Sequence, residues 1–164
     1  MTTIAYKSGI IAYDSQVTQG DVIKDLNFSK KFERDGIVFF MVGSPCDFET
    51  LISSWFTGKN VLLDGLIPDA SAFVVDKDKL WECGVNESGV FCSDHLPLDR
   101  PDACGSGASF ALAAMDCGLS AEDAVKVAAN RDLYTGGVIR VFEIPVVKTV
   151  FNPETGTLSG MVDR

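Results

Sequence analysis

Threonine occupies positions 2 and 3, directly after the initiator methionine. A small residue at position 2 permits removal of Met1, which would leave Thr2 with a free α-amine. Such an amine titrates at about 7.7–8.0, so it can take up a proton near neutral pH. A threonine hydroxyl beside its own N-terminal amine is a recognised nucleophile class, in which one residue supplies both nucleophile and base. No histidine is then needed. Many chains begin Met-Thr without any such role, so Thr2 gains meaning only from what else the sequence brings to it.

Two charged residues could tune such a nucleophile. Asp14 lies in Tyr13-Asp14-Ser15-Gln16-Val17-Thr18, and Lys31 lies in Ser29-Lys30-Lys31-Phe32. A buried lysine beside a hydroxyl lowers its pKa, and a carboxylate holds that lysine charged and oriented. Taken singly, each residue would read as surface charge. Cys104-Gly105-Ser106-Gly107 offers a hydroxyl and free backbone N–H groups just before a helix. It lacks the full phosphate-loop pattern and its lysine, which argues against nucleotide binding. Arg131-Asp132-Leu133-Tyr134-Thr135-Gly136-Gly137 sets a carboxylate and a hydroxyl three residues apart before a flexible turn. Alone it would read as a helix stop.

Other chemistries are poorly served. His95, in Asp94-His95-Leu96-Pro97, is the only histidine, so a serine or cysteine nucleophile with a histidine base would have to use it. The five cysteines (Cys46, Cys83, Cys92, Cys104 and Cys117) are odd in number and form no C-x-x-C pair. That argues against a zinc site or a disulfide framework. The expectation is reduced, mostly buried thiols.

The elements that must position these residues follow from pattern. Residues 3–18 read as a β-hairpin: Ile4-Ala5-Tyr6, a turn at Lys7-Ser8-Gly9, and Ile10-Ile11-Ala12-Tyr13, with Asp14 at the end of the return strand. Residues 31–43 read as a second hairpin turning at Asp35-Gly36. Its second strand, Ile37 to Val42, is apolar enough to be covered on both faces. Phe48, Leu51, Ile52 and Phe56 recur at helical spacing over 47–56. Short strands are expected over 71–92, with a turn at Asn86-Glu87-Ser88-Gly89. Two helices follow, over 108–117 and 121–130, with Ser120 as N-cap and Glu122-Asp123 in the first turn of the second. Val138–Phe142 and Val146–Phe151 are expected to pair as a closing hairpin. This segregated order of strands and helices fits an α+β protein better than a parallel βαβ alternation.

Length and composition set outer bounds. The 164 residues suit one domain, over 1–164, with a real core. Hydrophobic residues make up 46% and charged residues 23%, as in ordinary globular chains. A formal net charge of −9 repels phosphate backbones, so nucleic-acid binding is not expected. No apolar run reaches the length of a membrane span, and the first residues lack the marks of a signal peptide. The expectation is a soluble, cytoplasmic protein.

Together these pieces resemble a proteasome β subunit. Thr2-Thr3-Ile4-Ala5-Tyr6-Lys7, Tyr13-Asp14-Ser15, Lys30-Lys31-Phe32, Cys104-Gly105-Ser106-Gly107 and Arg131-Asp132-Leu133-Tyr134-Thr135-Gly136-Gly137 come in that family's order over nearly the whole chain. The short length is similar to the bacterial HslV-type peptidases and to small proteasome-like proteins of prokaryotes and their phages. The resemblance implies a four-layer αββα sandwich of the N-terminal-nucleophile (Ntn) hydrolase type, peptide-bond hydrolysis and no cofactor. Thr2 would be the nucleophile, Lys31 would lower its pKa, and Asp14 would pair with Lys31. Ser106, Asp132 and Thr135 would hydrogen-bond around the Thr2 amine and help relay its proton. Lys31 is preferred to Lys30 because the family's lysine commonly precedes an apolar strand residue, here Phe32. Counting from Asp14 without a gap favours Lys30, and adjacent strand residues face opposite ways, so only one can serve.

The same resemblance implies a peptide or unfolded protein as substrate, a homo-oligomer of the family's ring type and an ATP-dependent unfoldase partner. Three departures stand out. Phe40 aligns where the family has the glycine whose N–H serves the oxyanion. Thr135 replaces a serine. The family's second long helix is largely missing, because only 57–70 is available and Gly58, Gly65 and Pro68 interrupt it. Strand alternation and the family analogy suggest that Val17, Val38 and Val42 line an apolar pocket beside Thr2. The competing readings are a non-catalytic structural or assembly subunit of the same fold, which retained Met1 would favour, and a small-molecule amidase with the same nucleophile.

Overall fold

A computed structural model of the chain describes residues 2–57, 69–86, 89–92, 95–145, 147–152 and 157–162, with side chains described outside the segments 86–92 and 147–162. The first strands are β1 (Thr3–Lys7) and β2 (Ile10–Tyr13), joined at a tight turn as expected. Next come β3 (Val17–Gln19), β4 (Val22–Asp25), β5 (Lys31–Arg34), β6 (Ile37–Gly43), and helix α1 (Phe48–Thr57). Strands β7 (Ala70–Asp76), β8 (Lys79–Asn86), β9 (Gly89–Cys92) and β10 (Asp102–Gly105) lead to helices α2 (Ala108–Asp116) and α3 (Ala121–Ala129). The chain ends in β11 (Arg140–Glu143), β12 (Val147–Asn152) and β13 (Thr157–Val162).

Two antiparallel sheets carry the architecture. One has the order β10-β1-β2-β11 and the other β5-β6-β7-β8-β9. Alternation along the strands dictates how they stack, because successive side chains point to opposite faces. Ile4, Tyr6, Ile11 and Tyr13 meet Val38, Phe40, Val42 and Phe73 in a core between the sheets. The intervening Ala5 and Ala12 face outward, and their small size lets α2 and α3 pack close through Ala111, Ala124, Val125 and Ala128. On the far side, Phe39 and Met41 of β6 face α1, which supplies Phe48, Leu51 and Ile52. The result is helices, sheet, sheet, helix. Strand β6 is buried from both sides, as its unbroken apolar run predicts. Its Phe40 ring, fully buried between Tyr13 and Phe142, is worth about 1.5–3 kcal/mol of transfer free energy.

Three features differ from the sequence expectation. The closing hairpin does not form: β11 pairs with β2, and β12 pairs with β13 in a separate two-stranded sheet. Both segments have strand pattern, but pattern does not say which neighbour a strand chooses. Asp102–Gly105 is a strand on the edge of β1, too short and too polar at its start to be read as one. Residues 17–25 form their own small hairpin, β3-β4. Of the cysteines, Cys83 and Cys104 are buried while Cys46 and Cys117 are exposed, all four as free thiols, so the expectation of mostly buried thiols is too strong. The Cys92 side chain, the turn residues 87–88, Asp94, Val146 and the stretch 58–68, where the family's second long helix is expected to be missing, lie outside the described residues. Among the described residues, no helix is long and apolar enough to cross a membrane.

Candidate active site

The site lies where the start of β1, the end of β2, the segment entering β5, the end of β10 and the loop after α3 converge. Thr2 is 2% exposed and Thr3 is fully buried. The Thr2 carbonyl accepts the backbone N–H of Ser106 at 2.8 Å. That contact needs the chain to come very close at Gly105, whose φ of +97° favours glycine and where a Cβ would strike the Thr2 carbonyl. The glycine before Ser106 is therefore a condition for docking the N-terminal strand.

Asp14 organises one half of the site. Its carboxylate is fully buried and accepts four hydrogen bonds: from the N–H of Thr3 (3.1 Å), Gln16 (3.2 Å) and Gly136 (3.0 Å), and from Lys30 Nζ (2.7 Å). Lys30 is 3% exposed, and this is its ion pair. Burial pushes the Lys30 pKa below its ordinary value, partly offset by the attraction of Asp14. Asp132 lies near enough to add a further stabilising charge.

The preference for Lys31 is therefore corrected. Lys31 is about one-third exposed, sits 3.8 Å from Glu33 and lies 5.0 Å over the Phe142 ring. Extended residues alternate faces, and the face that carries Lys31 is the one turned toward the edge of the inter-sheet core. Lys30, the residue before the strand proper, points into the site, as the ungapped count from Asp14 indicated.

Asp132 organises the other half. Its Oδ2 accepts from the Ser106 hydroxyl and from the Thr135 hydroxyl, each at 2.6 Å, and its Oδ1 accepts the Tyr134 N–H at 3.3 Å. With its proton committed to Asp132, Thr135 Oγ1 accepts from Thr3 Oγ1 at 2.5 Å. Ser106 Oγ is also 3.4 Å from the Thr2 carbonyl. Ser106, Asp132 and Thr135 thus come together, and they reach the N-terminal strand through the Thr2 carbonyl and the Thr3 hydroxyl. Gln16 was not singled out by the sequence. It is 5% exposed, and its Nε2 donates to the Leu133 carbonyl at 2.7 Å, tying the loop of Asp132 to the strand end of Asp14. A polar residue two positions past Asp14 on an extended chain was the available signal.

A cavity of about 30 Å³ joins Thr2 and Lys30 to Gly43, Val17, Phe28 and Phe48. Gly43 ends β6 with φ +107°, and a Cβ there would collide with the Asp69 carbonyl. The glycine backbone beside Thr2 is therefore Gly43. The alignment of Phe40 with that position is corrected, since Phe40 sits in the inter-sheet core. Of the three expected pocket valines, Val17 lines the cavity, whereas Val38 and Val42 share the Phe40 face of β6 and lie in the core. A larger cavity of about 460 Å³, between the β1-β2 turn and the α2-α3 turn, contains none of these groups. His95 is exposed against Trp81 and takes no part. Among the described residues, no group of three or more His, Cys, Asp or Glu side chains is placed to hold a metal ion.

No family model matches the sequence, and no curated protein matches it. Solved structures do. The chain is similar to eukaryotic HslV from Trypanosoma brucei (TM-score 0.64, 20% identity, 87% of this chain and 98% of that one). It is also similar to Thiobacillus denitrificans BPH in complex with epoxomicin (TM-score 0.62, 18% identity, 87% and 98%). At such identities the likeness is one of fold: the chain has the αββα architecture of HslV-like, proteasome-type Ntn hydrolases.

Proposed function

We propose that the protein is a threonine peptidase that cleaves peptide bonds with Thr2 after Met1 has been removed. The observation that carries this reading is the desolvated Lys30 ammonium, held by Asp14 in the cavity that Thr2 also lines. A cation that is buried, oriented and beside a hydroxyl favours the alkoxide form of that hydroxyl. Thr2 Oγ1 would attack the peptide carbonyl carbon and pass its proton to the freed α-amine. The carbonyl oxygen takes the negative charge, and a backbone N–H at Gly43 would serve it in place of solvent. Collapse breaks the C–N bond, and the leaving amine takes the proton from the α-ammonium. Water then attacks the Thr2 ester, the amine again acting as base, and releases the carboxylic acid and the hydroxyl. The hydroxyls of Ser106 and Thr135, both bound to Asp132, would hold that amine and move its proton.

The fold likeness to HslV supports a homo-oligomeric, ring-type peptidase; peptides or unfolded protein as substrate, an ATP-dependent unfoldase as partner and a cytoplasmic location complete the proposal. Intact-mass spectrometry with an electrophile that traps N-terminal threonine tests the central step. Loss of Met1 and a single adduct, absent from Thr2→Ala, is the expected result. Retained Met1 with no adduct would instead favour a non-catalytic subunit of the same fold. Turnover of small amides but not peptides would favour an amidase.

A further inference from the structure

We infer that the cavity beside Thr2 selects substrates with a small residue (glycine, alanine or serine) on the acyl side of the cleaved bond, and that Phe28 sets this limit. The inference rests on the threonine-peptidase reading and concerns the same site. The cavity that Thr2 lines can receive the side chain next to the attacked carbonyl. That space measures about 30 Å³. A water-sized group occupies ~10–15 Å³ by the same measure, so one or two such groups fit, as in alanine or serine. The four-carbon side chain of leucine and the ring of phenylalanine exceed it.

Two aromatic rings line the cavity, and they differ in how firmly they are held. Phe48 is 5% exposed, opens α1 and packs edge-on against Phe32 at 5.6 Å between centroids. It belongs to the core and cannot be moved cheaply. Phe28 packs against the same cluster from the segment between β4 and β5 and is only partly buried. Its backbone is anchored on both sides: its N–H donates to the Ser15 carbonyl at 3.1 Å, and its carbonyl accepts from Arg140 Nη1 at 3.3 Å. These backbone hydrogen bonds do not involve the ring, so the ring can be shortened while they stay in place. Shortening it enlarges the cavity without dismantling a buried layer.

The test uses the full chain with Met1 removed and a set of peptide electrophiles differing only in the residue beside the reactive carbon: glycine, alanine, leucine or phenylalanine. The rate of Thr2 adduct formation is read by mass. The native protein is expected to react with the alanine probe at least about tenfold faster than with the leucine or phenylalanine probe, the discrimination one surplus methylene group can produce in a tight pocket. Phe28→Ala is expected to bring the leucine probe level with or ahead of the alanine probe. Phe28→Leu, which keeps an apolar side chain, should narrow the gap part of the way. Equal rates for all probes in the native protein, or an unchanged ranking in both variants, would overturn the inference while leaving Thr2 as nucleophile. Failure of every probe, glycine included, would overturn both.

Discussion

The two carboxyl groups of the site are built differently. Asp14 is fully buried, faces a cation and three backbone N–H groups, and among the described residues has no side-chain hydroxyl as partner. Asp132 faces two hydroxyls and one N–H, with no cation in contact among the described residues. The first arrangement fixes charge in place. The three N–H groups come from β1, from Gln16 just before β3, and from the loop after α3, so Asp14 also joins these segments. The second arrangement is a chain of exchangeable protons, Thr3 to Thr135 to Asp132 and Ser106 to Asp132. On the proposed function, one half of the site would set the field around Thr2, and the other half would supply groups that hand a proton along.

The largest expected effect comes from removing the charge of Asp14. Asp14→Asn leaves Lys30 buried without a counter-ion, which typically costs about 3–5 kcal/mol. Urea denaturation should show that loss, together with collapse of Thr2 labelling. A stable, fully labelled variant would mean that the pair is not the organiser described here. Next, Lys30→Met should slow labelling about 10²-fold, the size of a two-unit pKa change at the nucleophile. Lys31→Met should leave labelling within about twofold and stability within about 1 kcal/mol, as for an exposed pair. Similar effects at both lysines would erase the distinction between the two faces of this segment.

Asp132→Asn should cost less stability than Asp14→Asn, about 1–3 kcal/mol, because hydroxyls can turn to other partners whereas a buried ammonium cannot. Its labelling defect should be cleared by Thr2-independent controls such as native-like circular dichroism. Thr135→Ser keeps the hydroxyl and should be nearly silent, whereas Thr135→Val breaks the chain to Thr3 and should slow labelling. Equal behaviour of the two Thr135 variants would remove the proton-chain role.

The smallest effect concerns pH. Burial holds Lys30 below its ordinary pKa of 10.5 in the folded chain, while the unfolded chain keeps the ordinary value. Between those two values the unfolded chain binds more protons, so this residue makes stability rise with pH there. Lys30→Met should flatten that rise in urea midpoints measured below pH 10.5. An unaltered slope would show that Lys30 titrates alike in both states.

Much of this was legible in residue order alone. Local patterns determined the first hairpin, the doubly buried β6, the three helices and the cap at Ser120, whose side chain accepts the Asp123 N–H at 3.1 Å. These depend on a residue and its near neighbours, and period and capping report them directly. The spaced motifs also brought forward Thr2, Asp14, Ser106, Asp132 and Thr135, which the fold assembles from four separate segments. What tertiary structure alone decided were choices between equivalent local options. Lys30 and Lys31 are chemically alike, and only the docking of that segment against Asp14 assigns one inward and one outward. Phe40 and Gly43 lie three residues apart on one strand, and only the stacking of the two sheets buries the first and brings the second to Thr2. Val138–Phe142 could have paired with the strand after it, but β2 offered an edge already anchored in the sheet. Burial and partner choice are set by surfaces distant in sequence, and no local pattern carries that information.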